Sequence, residues 1–143
     1  MLETIVHEGK TLAIVLRAGY REEGIRFFTS DDFSQQLAYM NRPSGYLIPP
    51  HVHNPVQREV QYTNEVLFIK SGRVRVDFYT ERQRYLESTV LERGDVVLLV
   101  VGGHGFEMLE ASEIVEVKQG PYAGEADKTR FSGITAAQVR WKS

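Results

Sequence analysis

Apolar residues recur along the chain in short runs separated by turn residues, and no stretch keeps helical spacing for long. "TLAIVLRAGY" (11–20) is a first strand candidate and "EGIRFFTS" (23–30) a second. "SQQLAYMNRPSG" (34–45) is a third, closed by Pro43, Ser44 and Gly45. A short helix capped by Ser30 is the alternative there, but Asn41-Arg42-Pro43 would cut it off, and strand is preferred. In "EVLFIKSGRVRVDFYTE" (65–81) a turn at Ser71 and Gly72 joins two strands. Val74, Val76 and Phe78 alternate there with Arg75, Asp77 and Tyr79, which predicts one face toward a core and the other toward water. "YLESTVLERGDVVLLVVGGHGFEML" (85–109) adds a turn at Arg93, Gly94 and Asp95, an apolar strand, a Gly102-Gly103 turn and a strand from about His104. "SEIVEVKQ" (112–119) is the last strand candidate, and the tail after it has loop composition with a final helical turn or edge strand. Eight or more short strands at this spacing predict an all-β fold, a double-sheet jelly roll or small barrel.

Length and composition narrow the picture. The 143 residues suit one domain, able to bury roughly 68–70% of the surface of its unfolded chain. Seventeen basic against nineteen acidic residues leave a net charge of −2, so there is no electrostatic footprint for nucleic acid or an anionic membrane. Cysteine is absent, which leaves His, Glu and Asp as candidate metal ligands. The N-terminal apolar run is short and broken by Arg17, and nothing approaches the ~18 apolar residues of a membrane span, so a cytoplasmic protein is expected.

The candidate chemistry lies in "PPHVHNPVQREVQYTNEVLFIKSG" (49–72). Residues two apart on a strand share a face, so His51 and His53 on such a strand would present two imidazoles to one ion. The alternative is a pair of solvated histidines beside a Pro-Pro turn. Glu65 would share an inward face with Leu67 and Ile69, and a carboxylate there needs a cation or several donors. His104 shares its face with Phe106 and Met108, where a packed core histidine is the plain alternative to a ligand.

These residues carry a resemblance. Gly45, five residues, then His51-Val52-His53, together with Glu65 six residues before Gly72, resemble the first motif of the cupins. Gly94, Gly102 and His104 resemble most of the second. The similarity spans about residues 33–120. Eleven residues separate His53 from Glu65, more than the family pattern has, and Val100 stands where the second motif has proline. The resemblance implies a single cupin domain, a double-stranded β-helix or jelly-roll barrel. It also implies one divalent transition metal (Fe, Mn, Ni, Zn or Cu) held by His51, His53, Glu65 and His104, with Glu107 as the substitute should His104 be out of register.

The segment between the ligands, "NPVQREVQYTN", offers Gln57, Arg58, Gln61 and Tyr62 to a substrate, or is a plain solvent-facing extension. Phe106 and Met108 would line the mouth. Lys118 is a candidate proton donor or anion contact, alongside Tyr62; surface ion pairing is its alternative. The expected function is a metal-dependent enzyme on a small polar molecule, a sugar or a hydroxy- or keto-acid, as an isomerase, epimerase or dioxygenase, with a link to carbohydrate metabolism. The rival is a non-catalytic binding or sensing module with a structural metal. A homodimer is expected, with the 11–20 strand pairing with or crossing to a partner.

Overall fold

The alternating runs become strands, ten of them, in a computed structural model that describes all 143 residues. They are β1 (Leu2–His7), β2 (Lys10–Leu16), β3 (Gly24–Phe27), β4 (Ala38–Asn41), β5 (Glu65–Ser71), β6 (Arg73–Tyr79), β7 (Tyr85–Glu92), β8 (Val96–Leu99), β9 (Gly103–Met108) and β10 (Glu113–Lys118). The only helical pieces are two single 3₁₀ turns, Gly124–Asp127 and Ala136–Gln138. No helix is long and apolar enough to cross a membrane. The chain falls into two compact units, residues 1–20 with 62–143, and residues 21–61.

The larger unit holds two antiparallel sheets. One has the order β1-β2-β8-β5-β10 and the other β7-β6-β9. Their inner faces share one core that includes Val15, Leu67, Ile69, Val74, Val76, Phe78, Leu91 and Val97. Each such side chain contributes about 1.5–3 kcal/mol through burial. The sheets stay open, because β9 pairs only with β6 and β10 only with β5. Both edges of β2 are occupied within the chain, by β1 and β8, so the expected pairing of 11–20 with a second copy has no free edge to use.

Gly72 permits the tight β5–β6 connection. Its φ is +88°, and a Cβ there would lie 2.2 Å from the Ser112 hydroxyl and 2.4 Å from the Ala111 carbonyl oxygen. Past the same ends of the strands the guanidinium of Arg17, itself just past β2, ties together Glu3, the Thr89 hydroxyl, the Val90 carbonyl and Asp95.

One expectation from the alternation is corrected. Arg75, Asp77 and Tyr79 do not face water: every residue of β6 after Arg73 is buried. Arg75 forms a double hydrogen bond with Asp77 (2.9 and 3.1 Å) and an ion pair with Glu107 of β9 at 2.6 Å. Asp77 also accepts from the Ser88 hydroxyl, which in turn meets the Tyr85 hydroxyl at 2.7 Å. The C-terminal tail helps to cover this polar face. Trp141 bridges to Ser88 in parallel sense, the Ser88 N–H donates to the Arg140 carbonyl (2.7 Å), and the Lys142 N–H donates to the Ser88 carbonyl (2.8 Å). Further along, Phe131 sets its ring against Tyr79 at 5.0 Å, edge to face, and the Ile134 N–H donates to the Tyr79 hydroxyl.

The smaller unit contains the β3–β4 hairpin, with Gly24 opposite Asn41 and Phe27 opposite Ala38. Side chains knit its connection: the Thr29 hydroxyl donates to Gln36, whose amide donates to the Ser30 and Phe33 carbonyls. From residue 42 to 61 there is no regular structure. The strand expected to carry His51 and His53 is therefore absent. Pro43, Pro49, Pro50 and Pro55 have no N–H to give to a ladder, which explains why none forms.

Candidate functional site

Glu65 opens β5, where it faces Lys118 of β10 and Leu99 of β8. It shares the inner face with Leu67 and Ile69, as the alternation predicts, and both of those are buried. On β9, His104 pairs with Phe78, Phe106 with Val76 and Met108 with Val74, so all three also face inward. Two sheets thus deliver Glu65 and His104 to one place: Nε2 of His104 is 3.8 Å from a carboxylate oxygen of Glu65, with side-chain exposures of 27% and 14%.

Around them is a cavity of about 970 Å³. Its walls include Glu116 and Lys118 of β10, Phe106 of β9, Tyr79 of β6, and Lys128 and Phe131 of the tail. Lys118 Nζ is 3.6 Å from Glu65 and 3.7 Å from Glu116. Burial, reinforced by the neighbouring Glu116, pushes the Glu65 carboxyl above the ordinary glutamate value, while Lys118 and Lys128 pull against that. Burial lowers His104, opposed by Glu116 and assisted by Lys128 and Lys118. Lys118 is raised by Glu65 first and Glu116 second. It is held charged, which suits it to electrostatic contact better than to proton donation near neutral pH.

His51 and His53 lie in the smaller unit, both exposed, with ring centroids 5.2 Å apart and nearly perpendicular. The Nδ1 of His51 is 2.9 Å from the Pro49 carbonyl oxygen. With its proton on Nδ1 it donates there, and the lone pair is left on Nε2, the arrangement common in metal-binding histidines. Arg58 and Gln61 are exposed in the same unit. Tyr62 does reach the cavity of the larger unit, whereas Met108 does not line it. Glu107 points to the opposite face of β9, into its pair with Arg75, and so cannot replace His104 on the inner face.

The donors fit a divalent ion in kind. Ions of this class take imidazole nitrogen and carboxylate oxygen at about 2.0–2.2 Å, and two donors 3.8 Å apart can both reach a single centre. A cation would also relieve the crowding of Glu65 by Glu116. Neither unit by itself gathers three His, Asp or Glu side chains on one point. Three contributors went unread in the sequence. Glu116 was legible, being two residues before Lys118 and so on the same face, but the Tyr79–Phe131 wall joins residues too far apart in the chain for any pattern to link them.

No protein-family model, curated protein or solved structure matches the chain.

Proposed function

We propose that this all-β chain is a cupin-type jelly roll that binds a divalent transition metal through Glu65 and His104, and that it acts as an enzyme on a small polar molecule. The observation that carries the reading is the approach of Glu65 and His104, from different sheets, at the wall of a cavity large enough for a metabolite. When bound, such an ion supplies Lewis-acid polarisation of a coordinated oxygen. The chain's own residues do the rest: Lys118 offers fixed positive charge, and Phe106 and Phe131 give the cavity wall apolar surface. Isomerisation or oxidation of a sugar or hydroxy- or keto-acid suits this setting, in keeping with a place in carbohydrate metabolism and a cytoplasmic homodimer.

A second reading, a non-catalytic binding module, draws on the Lys118 ammonium, which already gives Glu65 a cation at 3.6 Å. Elemental analysis of the purified protein, followed by calorimetric titration of Mn(II) and Zn(II) into chelator-treated protein, tests both. The proposal expects one ion per chain. Glu65→Gln and His104→Ala should each cost more than the ~10–100-fold typical of losing an outer contact to a ligand. Wild-type affinity in both variants, or no stoichiometric uptake, rejects the metal site; uptake without turnover on sugars or hydroxy- and keto-acids favours the second reading.

A further inference from the structure

A second cavity, of about 620 Å³, adjoins the first, and Thr80 and Glu81 line both. It lies between two hairpin ends. One is the Glu8-Gly9 turn joining β1 to β2, with both residues at positive φ (49° and 77°). The other is the β6–β7 connection, residues 80–84, which Thr80 closes. Its hydroxyl accepts from the N–H groups of Arg82 and Arg84 (3.2 Å each), its N–H donates to the Arg84 carbonyl (2.8 Å), and its carbonyl accepts from the Gln83 N–H (2.9 Å). The backbone that carries the two arginines is therefore tied in place, and both line the cavity. Leu12 and Leu86, packed on the hydrophobic core, give the wall an apolar part.

Positive charge is in excess there, since Lys10, Arg82 and Arg84 share the wall with only Glu8 and Glu81. Both carboxylates are already engaged: Glu81 pairs with Lys10 at 3.2 Å, and Glu8 with His7 at 3.7 Å. The guanidiniums of Arg82 and Arg84 are exposed and have no carboxylate within ion-pair distance. Arg140, which lies 5.0 Å over the ring of the wall residue Tyr85, adds to the same field. A carboxylate ligand would bring a single charge and suit a single guanidinium fork. A phosphoryl group brings close to two charges and three acceptor oxygens, enough for both arginines, and the apolar part of the wall suits an organic body. We infer that this second cavity binds phosphate monoesters of small metabolites, with the phosphoryl group on Arg82 and Arg84 and the body toward Leu12 and Leu86. The site is separate from Glu65 and His104, so it stands or falls apart from the proposed metal centre.

Phenyl phosphate, phenyl sulfate and inorganic phosphate are titrated into chelator-treated protein and followed by NMR shifts, which removes a bound metal as a route to binding. Phenyl phosphate should bind at least about tenfold more tightly than phenyl sulfate, which keeps the shape with a single charge, and than inorganic phosphate, which lacks the body. Arg82→Met and Arg84→Met should each cost phenyl phosphate about tenfold, while Lys118→Met, in the first cavity, leaves it unchanged. Melting curves confirm that the variants fold. No binding of phenyl phosphate, equal affinity for the sulfate, or unaffected arginine variants overturns the inference. So does binding that follows Lys118→Met instead, which would put the phosphoryl group in the first cavity. Inorganic phosphate binding as tightly as phenyl phosphate overturns the ester and leaves the free ion as the ligand. Failure of the metal site alone would leave all these affinities intact.

Discussion

Two pairs of candidate ligands sit in opposite kinds of structure. Glu65 and His104 are on strands, largely withdrawn from water, with their protonation shifted by burial. His51 and His53 stand exposed on a proline-rich stretch with no ladder beneath them. In the first pair the backbone has already paid the ordering entropy, so the donors are held whether or not a ligand is present. In the second the only fixed relation is local, between neighbouring rings and the Pro49 carbonyl. Sheet pairing, rather than the presence of histidine, makes a prearranged site.

The contrast can be broken most forcefully from behind β9. Asp77 anchors Arg75, and Arg75 holds β9 through Glu107, on the face opposite His104. Asp77→Ala leaves a buried guanidinium short of its main partner and should lower stability by about 3 kcal/mol. Urea unfolding checks this, and a loss no larger than that of an exposed substitution would mean that the polar face is not what holds the strand.

Next in size is a pH effect, in chelator-treated protein. Glu65 titrates higher in the fold than its ordinary 4.5, so its contribution to stability is complete below that value and disappears as pH rises through the folded pKa. His104 titrates lower than 6.5, so its contribution is complete above 6.5 and disappears as pH falls through the folded pKa. Urea midpoints measured across pH should therefore lose their alkaline-going decline in Glu65→Gln and their acid-going decline in His104→Gln. Unchanged profiles would show that the two groups are no more buried than His51 and His53.

The smallest expected change sharpens the comparison from the other side. His51→Ala with His53→Ala should alter apo stability by no more than about 0.5 kcal/mol, because exposed side chains outside any ladder hold little together. A large drop in melting temperature of the apo protein would show instead that the proline-rich stretch is structurally anchored.

Much of the strand-borne half was legible in the sequence. Gly72 and Gly94 mark turns, and both adopt the positive φ that explains their presence there. Period-two spacing put Glu65 with Leu67 and Ile69, and His104 with Phe106, on the correct faces. The same rule failed for Arg75, Asp77 and Tyr79, since alternation separates two faces without revealing that the distant tail 131–142 comes back over one of them. It also failed at His51 and His53, where spacing suited a strand but the flanking prolines removed the donors a strand needs. β1 was missed because "LETIVH" is short and mixed, and it becomes a strand through pairing with β2. The cavity wall of Tyr79 and Phe131 is a tertiary product and has no local signature.

The late covering of β6 bears on how the polypeptide is made. As it leaves the ribosome, Arg75 and Asp77 emerge well before residues 140–142, which pair with Ser88 next to Asp77, so during synthesis that flank of the sheet waits for the tail. Chaperones and proteases would meet the nascent chain with this flank open, and an appendage fused close behind Trp141 would compete with the seal.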